Sequence, residues 1–235
     1  MTVVILPASD AEARVWGTAL EVSSLFAGVP WVLIGAQMVI LLELEAGRPS
    51  GRTTGDVDVV VDVRVLADGT RIAAERLVAA GFEMAEVRHP YRFRRDDAQV
   101  DLLAPDHVGS RADLTTVPPS TTTEIPGGSR ALASARPLAV EVVGVGIGVL
   151  PVPSLAAAIV LKVRAWQSRQ ADRDVEDLVR LLGLVPDVET VRREFKPAER
   201  RALAGIRPLA NPKHRAWRVA REPGEARAAL DRLSH

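Results

Sequence analysis

A chain of 235 residues with 30 Lys and Arg against 30 Asp and Glu fits one large domain or two small ones, and its zero net charge drives no global attraction to polyanions. Zero cysteines exclude disulfide staples and thiolate metal sites, and the four histidines are scattered without ligand spacing. No basic-plus-apolar leader is visible, and the longest apolar stretch, around 32–44, is broken by Gln37 and Glu43 and too short to span a bilayer; a cytoplasmic protein without a membrane partner is expected.

Trp31–Ile34 is a short apolar run between Pro30 and Gly35, which predicts a buried strand. Gln37–Ala46 reads as a helix, with Gly47 just past its end. Gly35 then lies at a strand-to-helix turn, where free N–H groups and the helix dipole attract anions. Taken alone, a glycine in a tight turn usually has only a conformational role.

Residues 51–63, GRTTGDVDVVVDV, place Asp56, Asp58 and Asp62 two or four apart in a run of valines. As a strand, this stretch puts the three carboxylates on one face and Val57, Val59, Val61 and Val63 on the other. Like charges stacked on one face call for a cation between them, and hard oxygen ligands suit a divalent metal. An exposed strand also alternates valine with polar residues, so both readings stand at this point.

Residues 91–103 predict two short strands around an Asp96-Asp97 turn. On the second strand Gln99, Asp101 and Leu103 share a face, and Asp101 is the only acid in the apolar run. The Ser, Thr, Pro and Gly of 109–137 read as a long loop, either a lid or a connector. LAVEVVGVGIGVLPV predicts a hairpin turning near Gly144 to Gly148.

In residues 151–184, Pro153 and Ser154 give a helix start and Gly183 a helix end. Lysine occurs only at 162, 196 and 213, so Lys162 in an apolar helix stands out in an arginine-using chain. On one continuous helix Lys162, Trp166, Arg169 and Arg173 form a narrow stripe, suited to a triphosphate or simply to solvent. Residues 190–235 hold 12 basic and 5 acidic groups, a basic tail suited to RNA, to an acidic partner or to solvent. Four Trp, four Phe and one Tyr offer no evident base-stacking platform.

A glycine-containing strand–helix turn, then Asp56-x-Asp58 on a strand, then an acid on a later strand resembles the nucleotidyltransferase fold related to DNA polymerase beta. Arg52-x-Thr54-x-Asp56-x-Asp58 and Lys162-x6-Arg169-x4-Asp174-x2-Asp177-Leu178 look like the AbiEii/AbiGii toxin group, which includes MenT-type toxins. The resemblance covers residues 31–184. Many members carry Gly-Gly or Gly-Ser at the turn, where this chain has Gly35-Ala36; Ala36 lacks the hydroxyl but keeps its backbone amide.

The resemblance implies an α/β fold, a small mixed sheet flanked by helices. Residues 1–150 would form the nucleotidyltransferase core, and 151–235 a helical region completing the nucleotide site and carrying the basic tail. It implies transfer of a nucleoside monophosphate from an NTP to an acceptor hydroxyl, with release of pyrophosphate. Asp56, Asp58 and Asp101 become ligands of Mg2+ or Mn2+, and two such ions about 3.5–4 Å apart serve reactions of this kind. Gly35, Ala36, Arg52, Thr54, Lys162 and Arg169 become nucleotide-binding, and Lys162 and Asp174 join the carboxylates as catalytic residues. Asp177 is expected to cap or to pair with arginines, and Asp62 to be solvated or salt-bridged. The acceptor implied is tRNA, and the partner a cognate antitoxin. Two other readings remain: a small-molecule nucleotidyltransferase of the antibiotic-modifying kind, and a relative that binds nucleotide or partner without turnover.

Overall fold

The computed structural model describes residues 2–86, 88–109 and 112–235; positions 110 and 111 of the expected long loop lie outside the described residues. The strands are β1 (Thr2–Ile5), β2 (Trp31–Leu33), β3 (Val57–Val61), β4 (Glu83–Glu86), β5 (His89–Arg95), β6 (Ala98–Pro105), β7 (Glu124–Ile125), β8 (Arg136–Val142) and β9 (Gly146–Val152). The helices are α1 (Asp10–Leu25), α2 (Gly35–Glu45), α3 (Gly69–Ala79), α4 (Gly128–Ala133), α5 (Leu155–Arg169), α6 (Asp172–Leu182), α7 (Val188–Arg193), α8 (Pro197–Ala204), α9 (Arg207–Ala210) and α10 (Pro223–Ser234). The architecture is mixed α/β with a helical C-terminal part.

The chain divides into two compact units, residues 1–38 with 52–153 and residues 39–51 with 154–235. The first unit holds two sheets. One has the order β1-β8-β9, with β1 parallel to β8 and β9 antiparallel to it. The other runs β2-β3-β6-β5-β4, with β7 pairing β6, and only its β3–β6 and β6–β7 pairs are parallel.

Strand β3 is short because valine runs out at both ends. Val57, Val59, Val60 and Val61 are all buried, each worth roughly 1.5–3 kcal/mol of apolar burial. The expected single face of carboxylates is therefore trimmed: Asp58 lies within the strand, while Asp56 and Asp62 flank it. Asp62 leaves the strand because it starts a turn, accepting the Arg64 backbone N–H at 3.1 Å and the guanidinium at 2.8 and 2.9 Å. It is the salt-bridged residue expected.

Helix α1 packs against β9 of one sheet and β6 of the other, burying Trp16, Thr18, Ala19 and Val22. Its start follows from Ser9, whose hydroxyl accepts the Glu12 N–H. The 109–137 segment is less loop-like than its composition suggests, since it contains β7 and α4. Asp106 organises the entry to α4, accepting the N–H groups of Gly127 and Ser129 at 2.9 Å each. The β8–β9 hairpin turns at 143–145 around Gly144, φ +77°, at the start of the expected range.

The second unit is helical, apart from the connecting segment after α2. Ser154 caps α5 by accepting the Ala157 N–H. Helix α5 buries every residue from Ala156 to Val163, and Lys162 is among them. It stops at Arg169 because Gln170 turns left-handed, φ 51°. The expected continuous stripe through Arg173 is thereby broken, with Arg173 on α6. Helix α6 packs along α5 and buries Val175, Leu178, Val179, Leu181 and Leu182. Helix α10 closes against α6, α7 and α8.

Candidate active site

The first unit brings Asp56, Asp58 and Asp101 together: one carboxylate oxygen from each lies within 4.8 Å of the others. Strand pairing explains how. Parallel β3 and β6 set Asp58 directly opposite Asp101, so residues 43 positions apart in the chain become cross-strand neighbours. Asp56, just before the strand, returns its carboxylate to the same side, held by the Thr54 hydroxyl donating to its Oδ1 at 2.7 Å. Thr54 thus reaches the cluster through Asp56.

Gly35 is where β2 hands over to α2, with φ +70°. A Cβ built there would sit 1.9 Å from Asp58 Oδ2. The glycine is needed twice, for its left-handed backbone and for the space that the Asp58 carboxylate occupies. The carbonyl of Asp58 also accepts the Ile34 N–H at 2.9 Å, tying the strand–helix turn to the carboxylate strand. Helix α2 begins at Gly35 itself, two residues earlier than expected, so Gly35 and Ala36 are in its first turn, with their N–H groups among those lacking an intrahelical acceptor. Ala36 is buried. Arg52, the other basic residue expected here, donates to the carbonyl of Thr53.

Asp101 has a partner that reading residue by residue missed. Arg92 grips it with two parallel bonds, Nε to Oδ1 at 2.9 Å and Nη2 to Oδ2 at 2.7 Å. The pair faces across antiparallel β5 and β6, where Arg92 is in register with Asp101. The Asp101 carboxylate pushes the Arg92 guanidinium well above its ordinary value, chiefly through these hydrogen bonds. Gln99 Nε2 adds a donor to Oδ1 at 3.3 Å. A carboxylate offers about four lone-pair sites, so Arg92 orients Asp101 without exhausting it.

The donor set suits a divalent cation. Three hard oxygen donors converge, carboxylates so close repel one another without a cation among them, and the neighbouring backbone keeps clear at Gly35. These are the features of a site for Mg2+ or Mn2+.

The remaining expected residues lie in the second unit, where two ion pairs tie α5 to α6. Lys162 Nζ donates to Asp177 Oδ2 at 2.8 Å, with the two side chains 6% and 1% exposed. Arg169 clamps Asp174 with two bonds of 2.6 Å, and the Asp174 side chain is fully buried. Asp177 accordingly pairs with the lysine. Asp174 is in the first turn of α6, where the helix dipole favours a negative charge.

No protein-family model matches the chain, and no curated protein matches it. Among solved structures, the chain is similar to the solution structure of the antibiotic-resistance factor ANT(2'')-Ia, for which substrate-regulated conformation dynamics are described. The TM-score is 0.48 at 14% sequence identity, over 83% of this chain and 94% of that one.

Proposed function

We propose that the protein is a metal-dependent nucleotidyltransferase that moves a nucleoside monophosphate from an NTP to an acceptor hydroxyl, in the nucleotidyltransferase fold its motifs resemble. The observation that carries this reading is the convergence of Asp56, Asp58 and Asp101 to within 4.8 Å beside a glycine that Asp58 itself requires. Asp56, Asp58 and Asp101 would hold Mg2+ or Mn2+, which when bound supplies charge neutralisation for the triphosphate and lowers the pKa of the acceptor hydroxyl.

The chain's own residues supply position and charge. Thr54 and Arg92 fix the orientation of two of the three carboxylates, so less side-chain motion has to be frozen when substrate arrives. The first-turn N–H groups of α2, at Gly35 and Ala36, supply donors toward an anionic phosphate. Asp101 is assigned as the carboxylate that accepts or orients the acceptor hydroxyl proton, since Arg92 fixes its orientation. Within the same proposal Lys162 serves the triphosphate, Asp174 supports catalysis, Arg52, Thr54 and Arg169 serve the nucleotide, and the division of labour falls near residue 150.

The finer proposal is a toxin of a toxin–antitoxin pair whose acceptor is tRNA; the AbiEii-like spacing of Lys162, Arg169, Asp174 and Asp177 and the basic tail support it. The test is incubation with magnesium, each α-labelled NTP and total tRNA, beside a parallel series with aminoglycoside acceptors. Label on tRNA that disappears in an Asp56→Ala/Asp58→Ala variant is the expected result. Label on the aminoglycoside alone would move the acceptor to a small molecule, and no label on either would overturn the transfer reading.

A further inference from the structure

The second unit contains a cavity of about 480 Å³ lined by Arg48, Arg180, Arg218 and Arg221, with Glu43 and the apolar Leu184 among its other walls. Four guanidinium groups against one carboxylate make an electropositive recess. Arg180 is the least exposed of the four, its side chain 12% exposed. It meets Glu43 at 3.4 Å, but its Nε is buried without a hydrogen-bond partner among the described residues. The other oxygen of Glu43 accepts the Ser50 hydroxyl at 2.5 Å. Among the described residues, Arg48 has only a 3.9 Å approach to the exposed Glu225. Arg218 and Arg221 are exposed and have no ion pair among the described residues.

An N–H left without an acceptor on a largely buried guanidinium costs free energy, and three more arginines around it present further donors that an anion would satisfy. Arginine forks match the tetrahedral oxygens of phosphate with paired bonds, and a phosphate carries the charge to balance several of them. The location agrees with the basic tail, since 218 and 221 belong to the 190–235 segment with 12 basic and 5 acidic groups.

We infer that this cavity is a phosphate-binding seat. Its ligand is a phosphate group, borne either by the backbone of an RNA acceptor or by a free phosphate or pyrophosphate. The RNA source rests on the nucleotidyl-transfer reading; phosphate recognition by the cavity does not.

The test uses the full chain without magnesium or NTP. Binding of labelled total tRNA is measured across a salt series for the parent, for Arg218→Gln/Arg221→Gln, and for the exposed control Arg201→Gln/Arg232→Gln, which removes the same charge elsewhere. Thermal melting with and without inorganic pyrophosphate is recorded in parallel. An RNA-backbone seat predicts that the cavity variant loses at least about fivefold in affinity and about one to two units of salt slope, while the control keeps both. A free-phosphate seat predicts unchanged RNA binding, with pyrophosphate raising the melting temperature of parent and control but not of the cavity variant. Either result supports the seat and names its source. Equal losses in the two variants, or no difference from the parent in either assay, would overturn it. Repeating the series in Asp56→Ala/Asp58→Ala protein separates the two proposals: a seat that survives there stands even where transfer activity fails.

Discussion

Replacing Gly35 with alanine tests the geometry of the carboxylate cluster through a single methyl group. The residue has φ +70°, and the new Cβ would lie 1.9 Å from Asp58 Oδ2, where ordinary contact begins at 3.4 Å. An L-residue in the left-handed region costs roughly 1–2 kcal/mol. For a chain of this size that lowers the melting temperature by about 2–8 °C. The larger effect falls on function. Relieving the clash displaces the Asp58 carboxylate by about 1.5 Å, and misplacing a reacting group by even 1 Å costs on the order of 100-fold in rate. Gly35→Ala is therefore expected to remain folded, with transfer of labelled nucleotide reduced at least about 100-fold. Melting curves and initial rates on the same preparation check both halves. Transfer within threefold of the parent would refute the claim that Gly35 makes room for Asp58 in the active geometry.

Arg92→Met removes the clamp on Asp101 and is expected to weaken Mn2+ binding by about 10–100-fold, the usual effect of losing a group that orients a ligand; Arg92→Lys, which keeps charge but not the paired bonds, should fall between, and unchanged affinity in both would remove Arg92 from the site. Lys162→Met leaves Asp177, 1% exposed, without its cation, at a cost of about 3–5 kcal/mol. Lys162→Met/Asp177→Leu should recover most of that in a denaturant titration without recovering transfer; recovery of both would make the pair purely structural. Asp106 is subject to burial, which raises its pKa, but the N–H groups of Gly127 and Ser129 outweigh it and the net shift is downward. A carboxyl held below its unfolded value contributes stability above that value, about pH 3.9, and loses it as pH falls through the folded pKa. Asp106→Asn is thus expected to destabilise at pH 7, with the deficit shrinking below about pH 4; a pH-independent deficit would contradict the assignment.

The carboxylate cluster was legible because each part rests on short-range pattern. Alternation placed Asp58 and Asp101 on defined strand faces, and Asp96-Asp97 announced the turn before Asp101. That turn also held the missed information. A two-residue connection between β5 and β6 pairs Arg95 with Ala98, and counting back along the ladder sets Arg92 opposite Asp101. The signal for the clamp was present, but it is a relation between strands and not a property of either one. Asp62 was misplaced on the strand because local alternation says nothing about where a turn begins; Arg64, two residues on, decides it. The stripe through Arg173 failed for a similar reason. Gln170 adopts a left-handed conformation that glutamine rarely signals, so the helix bearing Lys162 ends before Arg173. The entry to α4 depends on Asp106, 21 and 23 residues from the N–H groups it accepts, and no window along the chain reveals such a contact. Lys162 stood out by composition alone, whereas its partner Asp177 follows only from the packing of α5 on α6.

The most direct test of the central claim is Mn2+ binding followed by electron paramagnetic resonance, with and without a non-hydrolysable NTP, in the parent and in Asp56→Asn, Asp58→Asn and Asp101→Asn variants. The account predicts saturable Mn2+ binding that tightens with nucleotide and is lost or weakened at least about tenfold in each variant. Binding of equal affinity in the parent and all three variants would contradict it, because the ion would then be held somewhere other than the cluster formed by Asp56, Asp58 and Asp101.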